Sequence, residues 1–212
     1  MHILYIHQYF KTPSEPGGTR SYWVAKRFIE EGHKVTMLTT SSSIQEKIVH
    51  KTIDGIEVIY LKVPYNQNMS IMARVKSFVN FMIKSTRLAL KVKNVDLALA
   101  TCVFHHIPAD EHIQLIQEVS RTLRSGGVFM IYEHNPINPM TLRAVNTCPF
   151  DENAVLLKRC QVRNVLREAG MEVVMQEYRV YFPAFLKLLR PLEKYLAWLP
   201  LGAQHFVVGK KL

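Results

Sequence analysis

Cysteine is scarce in this sequence: Cys102, Cys148 and Cys160 are the only three among 212 residues, and none stands in a CxxC spacing. An odd, widely spaced set offers no disulfide framework and no structural zinc motif, and it suits a reducing cytoplasm. Long apolar runs are lacking too. No stretch approaches about 18 uninterrupted apolar residues, so no membrane-spanning helix is expected. The opening MHILYIHQYF has neither the basic start nor the apolar length of a signal peptide, and it reads as a strand. Acidic residues are the third scarcity. Seventeen Asp and Glu stand against 27 Lys and Arg, a net charge of +10 that suits phosphate-bearing ligands, anionic lipid or nucleic acid. Residues 1–100 hold 14 basic and 7 acidic residues and the remainder 13 and 10, so the bias sits mainly in the first half. No recognisable nucleic-acid module accompanies it, and nucleic acid is not an expected partner.

What is present is an ordinary globular composition, 48% hydrophobic and 21% charged, in a length that fits one α/β domain. Strands are expected at 2–7, 34–39, 56–62, 95–100, 128–133, 171–181 and 204–209. Helices alternate with them. Tyr22, Ala25 and Ile29 share one face of the first, which Gly32 closes, and Asp54-Gly55 marks a turn before the third strand. A long basic helix over 70–94 carries Ile71, Val75, Phe78 and Met82 at helical spacing. Pro108 opens the next helix, Arg121 and Arg124 suit its C-terminal dipole, and Gly126 ends it. Val162, Val165, Leu166 and Ala169 define another, closed by Gly170. The apolar and basic stretch 183–200 reads as a helix bent at Pro191. Alternating strands and helices imply a mostly parallel sheet covered on both faces.

Two family resemblances meet within this chain. MHILYIHQYFKTPSEPGGTRSYWVAKRFIEEGHKVTMLTT, with IDGIEVIYLKVPY and NVDLALAT, resembles the start of a family 4 glycosyltransferase of the GT-B fold. CVFHHIPADEHIQLIQEVSRTLRSGGVFMIYEHNPINPMTLRAVNTCPF and the remaining sequence from Asp151 to Leu212 resemble the C-terminal half of a class I methyltransferase dependent on S-adenosylmethionine. The boundary falls near Ala100 and Thr101, making 1–100 a glycosyltransferase-like half and 101–212 a methyltransferase-like half. The methyltransferase resemblance implies one Rossmann-like, doubly wound, seven-stranded sheet of order 3-2-1-4-5-7-6. It also implies a glycine turn after strand one and a carboxylate ending strand two for the ribose of S-adenosylmethionine. Here Gln8 precedes a longer loop before Gly17, and strand two ends in Thr39 and Thr40. A glycosyltransferase of that family needs a second domain for the nucleotide sugar, and no sequence remains to build it.

Ligands of open α/β sheets lie beyond the carboxyl ends of the strands, here between strands one and four. Gly17, Gly18, Thr19, Thr101 and Cys102 are expected to line that crevice. Gly17 and Gly18 precede a helix N-terminus that favours an anion, or they simply close the loop. Arg20 is either a partner for phosphate or carboxylate or a solvated charge. His105 and His106 follow strand four, where a neutral imidazole can act as a general base; adjacent histidines in a loop point apart, so helix-entry packing competes with that role, and no metal site is expected. Glu133 reads as a crevice-facing base or as a surface carboxylate, and Cys102, which has no evident base partner, as a buried thiol rather than a nucleophile. The segment from Phe185 to Leu199, with Lys187, Arg190 and Lys194, fits a membrane interface, although packing over the crevice or sheet is the favoured expectation.

These features support a methyltransferase-like transferase with a degenerate cofactor site. The alternatives are a glycosyltransferase-like protein of envelope polysaccharide assembly without its donor domain, and a non-enzymatic ligand-binding remnant or chimeric product. A small-molecule or lipid-linked saccharide ligand and a peripheral membrane contact are the partners to expect.

Overall fold

The structure, a computed structural model, describes residues 1–64, 69, 71–89, 91–148, 151 and 154–212. Eight strands form one sheet: β1 (His2–Ile6), β2 (Lys34–Ser41), β3 (Ile48–Ile53), β4 (Ile56–Lys62), β5 (Val95–Thr101), β6 (Leu123–His134), β7 (Met171–Arg179) and β8 (Gln204–Lys211). Their order is β3-β4-β2-β1-β5-β6-β8-β7. The five central strands are parallel neighbours, whereas β3 pairs with β4, β6 with β8 and β8 with β7 in antiparallel fashion. Without β3, this is the expected order of seven.

The added edge strand has a local cause. Asp54 and Gly55 both take positive φ, at 48° and 84°, and Ile53 pairs directly with Ile56. A two-residue turn of that hand matches the twist of a hairpin, so the turn signal folds the preceding segment back onto β4. That segment is IVHKTI, polar and largely exposed. Such an edge lacks the apolar alternation by which a strand is recognised.

Successive side chains of the central strands point to opposite faces. Leu4, Leu38, Ala98 and Phe129 belong to one buried cluster, completed by Ile116 of α3 (His112–Thr122) and Leu166 of α5 (Arg159–Glu168). Phe81 and Leu88 of α2 (Ile71–Ala89) join it, whereas the side chains of Ile71, Val75, Phe78 and Met82 lie outside the described residues. Ile3, Tyr5, Met37 and Val58 meet Tyr22 and Ala25 of α1 (Arg20–Glu30) on the other face. Strands from both halves of the chain thus share one sheet and one principal core.

Two expected boundaries move. The helix before strand five stops at Thr122 rather than Gly126, and β6 starts at Leu123, which pairs with Val95. The register then slips, so that Leu97 pairs with Val128. Gly126 at φ +73° sits in this bulge, and a Cβ on Gly127 would lie 2.9 Å from the Arg124 carbonyl and 3.0 Å from that of Val95. The two glycines therefore mark a close strand approach, not a helix end. Arg124 accordingly pairs with Asp96, at 2.5 Å, rather than with the helix dipole.

The second change concerns 183–200. It folds as a 3-10 segment over Ala184–Leu192, broken at Leu186, followed by a four-residue α6 (Glu193–Leu196). A short α4 (Pro139–Asn146), capped by the Asn138 side chain, precedes α5.

Candidate functional site

β1, β5 and β6 end side by side, and the chain after each supplies part of one small cavity. β1 runs out into His7 and Gln8. After β5, Cys102 takes a φ of 53° and donates its N–H to the Tyr132 carbonyl at 2.8 Å. A 3-10 turn over Phe104–His106 comes next. Glu133, near the end of β6, is fully buried beneath that turn. Its carboxylate accepts the N–H groups of Val103 and Phe104 at 2.9 and 2.8 Å and pairs with His105 Nδ1 at 2.5 Å. Glu133 thus stands behind the histidine, neither on the surface nor facing the cavity.

The charges are set by this arrangement. Burial alone would raise the Glu133 carboxyl, but His105 and the two amides hold it below the usual carboxylate range. Burial alone would lower His105, yet Glu133 and Asp151 raise it to about 9. This environment favours the protonated form of His105, whereas the general-base alternative drawn from the sequence uses a neutral imidazole. His106 is lowered, first by burial.

The two histidines converge instead of diverging. Their ring centroids are 4.2 Å apart, and Asp151 Oδ1 lies 3.6 Å from His105 Nε2 and 3.5 Å from His106 Nε2. Sequence reasoning missed this because Asp151, in a proline-bearing loop far from the histidines in the chain, carries no local signal, and only folding brings it to the two rings. The three residues, with His7, Gln8 and Cys102, line a cavity of about 150 Å³.

The expected cofactor residues are distributed differently. Cys102 lines the cavity, whereas Gly17, Gly18 and Thr19 do not. Thr101 Oγ1 is hydrogen-bonded to the Tyr5 hydroxyl at 3.0 Å. Arg20, an exposed residue, reaches from the start of α1 to Cys102 Sγ, 3.2 Å from its Nη2, so its guanidinium lies across the strand ends while its side chain stays open to solvent. Burial first, then the charge of Glu133, push the Cys102 thiol up to about 12, against the opposing pull of Arg20. Cys102 is half-buried, and a thiol raised in this way is protonated near neutrality. Burial and Arg20 push His7 down to about 4.

S-adenosylmethionine, the cofactor implied by the methyltransferase resemblance, does not fit these residues. Thr39 and Thr40, where a ribose-binding carboxylate would stand, both donate their hydroxyls to the Gln8 carbonyl at 2.9 Å. Phe10 N–H donates back to Thr39 Oγ1 at 3.1 Å. The chain after β1 is thereby sewn to the end of β2, and Phe10 is buried against Tyr22.

The segment expected to pack over the crevice faces outward. Phe185 is 82%, Leu188 86% and Trp198 71% exposed. It is nevertheless anchored: Glu193 accepts the N–H groups of Tyr181 and Phe182 at 3.1 and 3.0 Å, and the Tyr181 hydroxyl donates to the carbonyls of Leu196 and Leu199. Part of the basic excess collects elsewhere, in a groove lined by Lys47, Lys62, Lys84, Arg87 and Lys91. Among the described residues no helix is long and apolar enough to cross a membrane.

A family profile described as Methyltransferase domain matches residues 51–131. This match crosses the expected boundary near 100, so the methyltransferase likeness begins well inside the first half, and the comparisons give no support to a glycosyltransferase segment or a chimeric junction. No curated protein matches the sequence. Among solved structures, a SAM-dependent methyltransferase from Archaeoglobus fulgidus aligns with a TM-score of 0.59 at 12% identity, over 99% of this chain and 86% of that one. One from Thermotoga maritima aligns at 0.52 and 14%, over 100% and 82%. An O-methyltransferase family protein from Burkholderia thailandensis aligns at 0.53 and 10%, over 99% and 50%. Identities this low speak for the fold alone, and with the observed strand order they place the chain in the α/β, Rossmann-like fold of class I methyltransferases.

Proposed function

We propose that this protein is a methyltransferase-fold domain whose cofactor site is degenerate, so that it acts as a binding domain without methyl transfer from S-adenosylmethionine. The tie of Thr39 and Thr40 to the Gln8 carbonyl carries this reading. It occupies the strand end that would otherwise hold the ribose, where threonines stand in place of a carboxylate. Loss of two charge-assisted hydrogen bonds alone costs roughly 3–6 kcal/mol, or two to four powers of ten in affinity. Titration calorimetry of the purified protein with S-adenosylmethionine is expected to show no micromolar binding. A micromolar dissociation constant would overturn the proposal.

A second element of the proposal is a peripheral contact with anionic membrane through Ala184–Leu201. Phe185, Leu188 and Trp198 supply exposed apolar area. Lys187, Arg190 and Lys194 supply positive charge, while Glu193, the acid among them, is spent on the Tyr181 and Phe182 amides. Apolar area and basic charge together are what an anionic interface selects. The protein should sediment with phosphatidylserine-containing vesicles and much less with neutral ones, and Leu188→Ser with Trp198→Ser should release it. Equal sedimentation of the double variant excludes this surface.

A further inference from the structure

The cluster at the end of β5 remains unused by this function, and its geometry is unusual for a hydrogen-bonded network. His105 Nε2 is buried without a hydrogen-bond partner, in a side chain 1% exposed. At 3.6 Å the Asp151 carboxylate is too distant to provide one. A buried polar atom left in this state costs stability unless something else occupies the space between the groups.

We propose that His105 Nε2, His106 Nε2 and Asp151 Oδ1 bind a divalent transition-metal ion of the zinc class, with water from the adjoining cavity in a fourth position. The spacings carry this. Zinc bonds of about 2.0–2.1 Å in tetrahedral geometry separate neighbouring ligand atoms by roughly 3.3–3.4 Å. The observed separations from Asp151 Oδ1 are 3.6 and 3.5 Å, and all three donor atoms lie within 4.8 Å of one another. Small adjustments therefore suffice to close the site.

The donor set also suits this class of ion. Two imidazoles and one carboxylate are borderline ligands preferred by zinc and its neighbours rather than by magnesium or calcium, which favour oxygen alone. Behind His105, Glu133 takes the Nδ1 proton at 2.5 Å, which fixes the tautomer so that Nε2 points forward, as carboxylates do behind metal-bound histidines. Glu133 is itself locked by the Val103 and Phe104 amides. Uptake replaces the Nε2 proton of the metal-free protein, as is usual for a histidine ligand. The charges then balance, with one dication set against the carboxylates of Glu133 and Asp151. Three protein ligands with an open side toward a cavity make an accessible site, not a sealed structural one.

Chelator-stripped protein is titrated with zinc by calorimetry and with cobalt by visible absorption. One equivalent should bind at micromolar concentration, with the cobalt bands of a four-coordinate site. Asp151→Asn and His106→Gln should each weaken binding tenfold or more. X-ray absorption of the zinc-loaded wild type should report two imidazoles in the coordination shell, a reading that does not depend on either variant folding. No stoichiometric uptake, or a shell without imidazole, overturns the proposal, as does unchanged affinity in both folded variants. None of these readouts depends on S-adenosylmethionine.

Discussion

At the scale of single residues, the histidines decide how this protein responds to acid. His7 is half-buried and held at about 4, against an ordinary value of 6.5, by loss of water and by the nearby Arg20 charge. The folded protein keeps it neutral between those values, whereas the unfolded chain takes up a proton. Its contribution to stability is therefore complete above about pH 6.5 and is lost as pH falls toward 4. A shift of this size corresponds to about 3 kcal/mol. His106, His134 and His205 are lowered too, burial being the first cause in each, and they act in the same direction. Urea melts at pH 7 and pH 4.5 should show a marked loss at the lower pH, and His7→Gln should flatten part of that slope. A variant with the wild-type slope would place His7 in contact with water. Histidine at the end of a first strand was legible in the sequence; its burial beside Arg20 was not, because Arg20 arrives through the long loop and α1.

Among elements, the junction of β5 and β6 shows most directly how a local signal acquires its meaning from a neighbour. Gly126-Gly127 reads in isolation as a helix terminator, since glycine readily leaves helical geometry. In the sheet it makes room for the Val95 carbonyl. Gly127→Ala places a Cβ against backbone oxygens that cannot swing away, and should cost about 1–3 kcal/mol, the range of overpacking. Gly18→Ala has nothing within 4 Å to meet and should change stability by less than about 0.5 kcal/mol, as ordinary surface substitutions do. Thermal denaturation of the pair distinguishes the bulge from a merely tolerant loop; equal melting temperatures would contradict it. β3 teaches the converse. Its Asp54-Gly55 turn was plain in the sequence, but strand pairing came from a partner, β4, that the polar IVHKTI segment does not announce.

Over the whole molecule, β1, β2, β3 and β4 from the first half and β5, β6, β7 and β8 from the second half or its border form one sheet. Leu99 sits at the centre, paired with Tyr5 on one side and Met130 on the other. A charge there would be buried without a partner, so Leu99→Glu should destabilise both halves together by several kcal/mol. Wild-type protein should unfold in one transition, with residues 1–100 failing to fold alone. Two separated transitions, or a stable 1–100 fragment, would mean that the shared sheet does not couple the halves.

Periodicity and turn chemistry alone determined the alternation of strands and helices, and with it a parallel-centred sheet whose strand ends hold any site, because burying apolar faces leaves few other arrangements. Gly17, Gly18 and Thr19 were assigned to the crevice by their place in the chain. Tertiary structure added His7 and Asp151 to the expected His105, His106 and Cys102 around one cavity, which the two glycines and Thr19 do not line. It also turned Phe185 and Leu188 outward. Those outcomes rest on contacts between residues far apart in the chain, such as Asp151 with His105 or Glu133 with Val103. Residue type and local spacing set what each side chain can do, but only packing sets which groups meet.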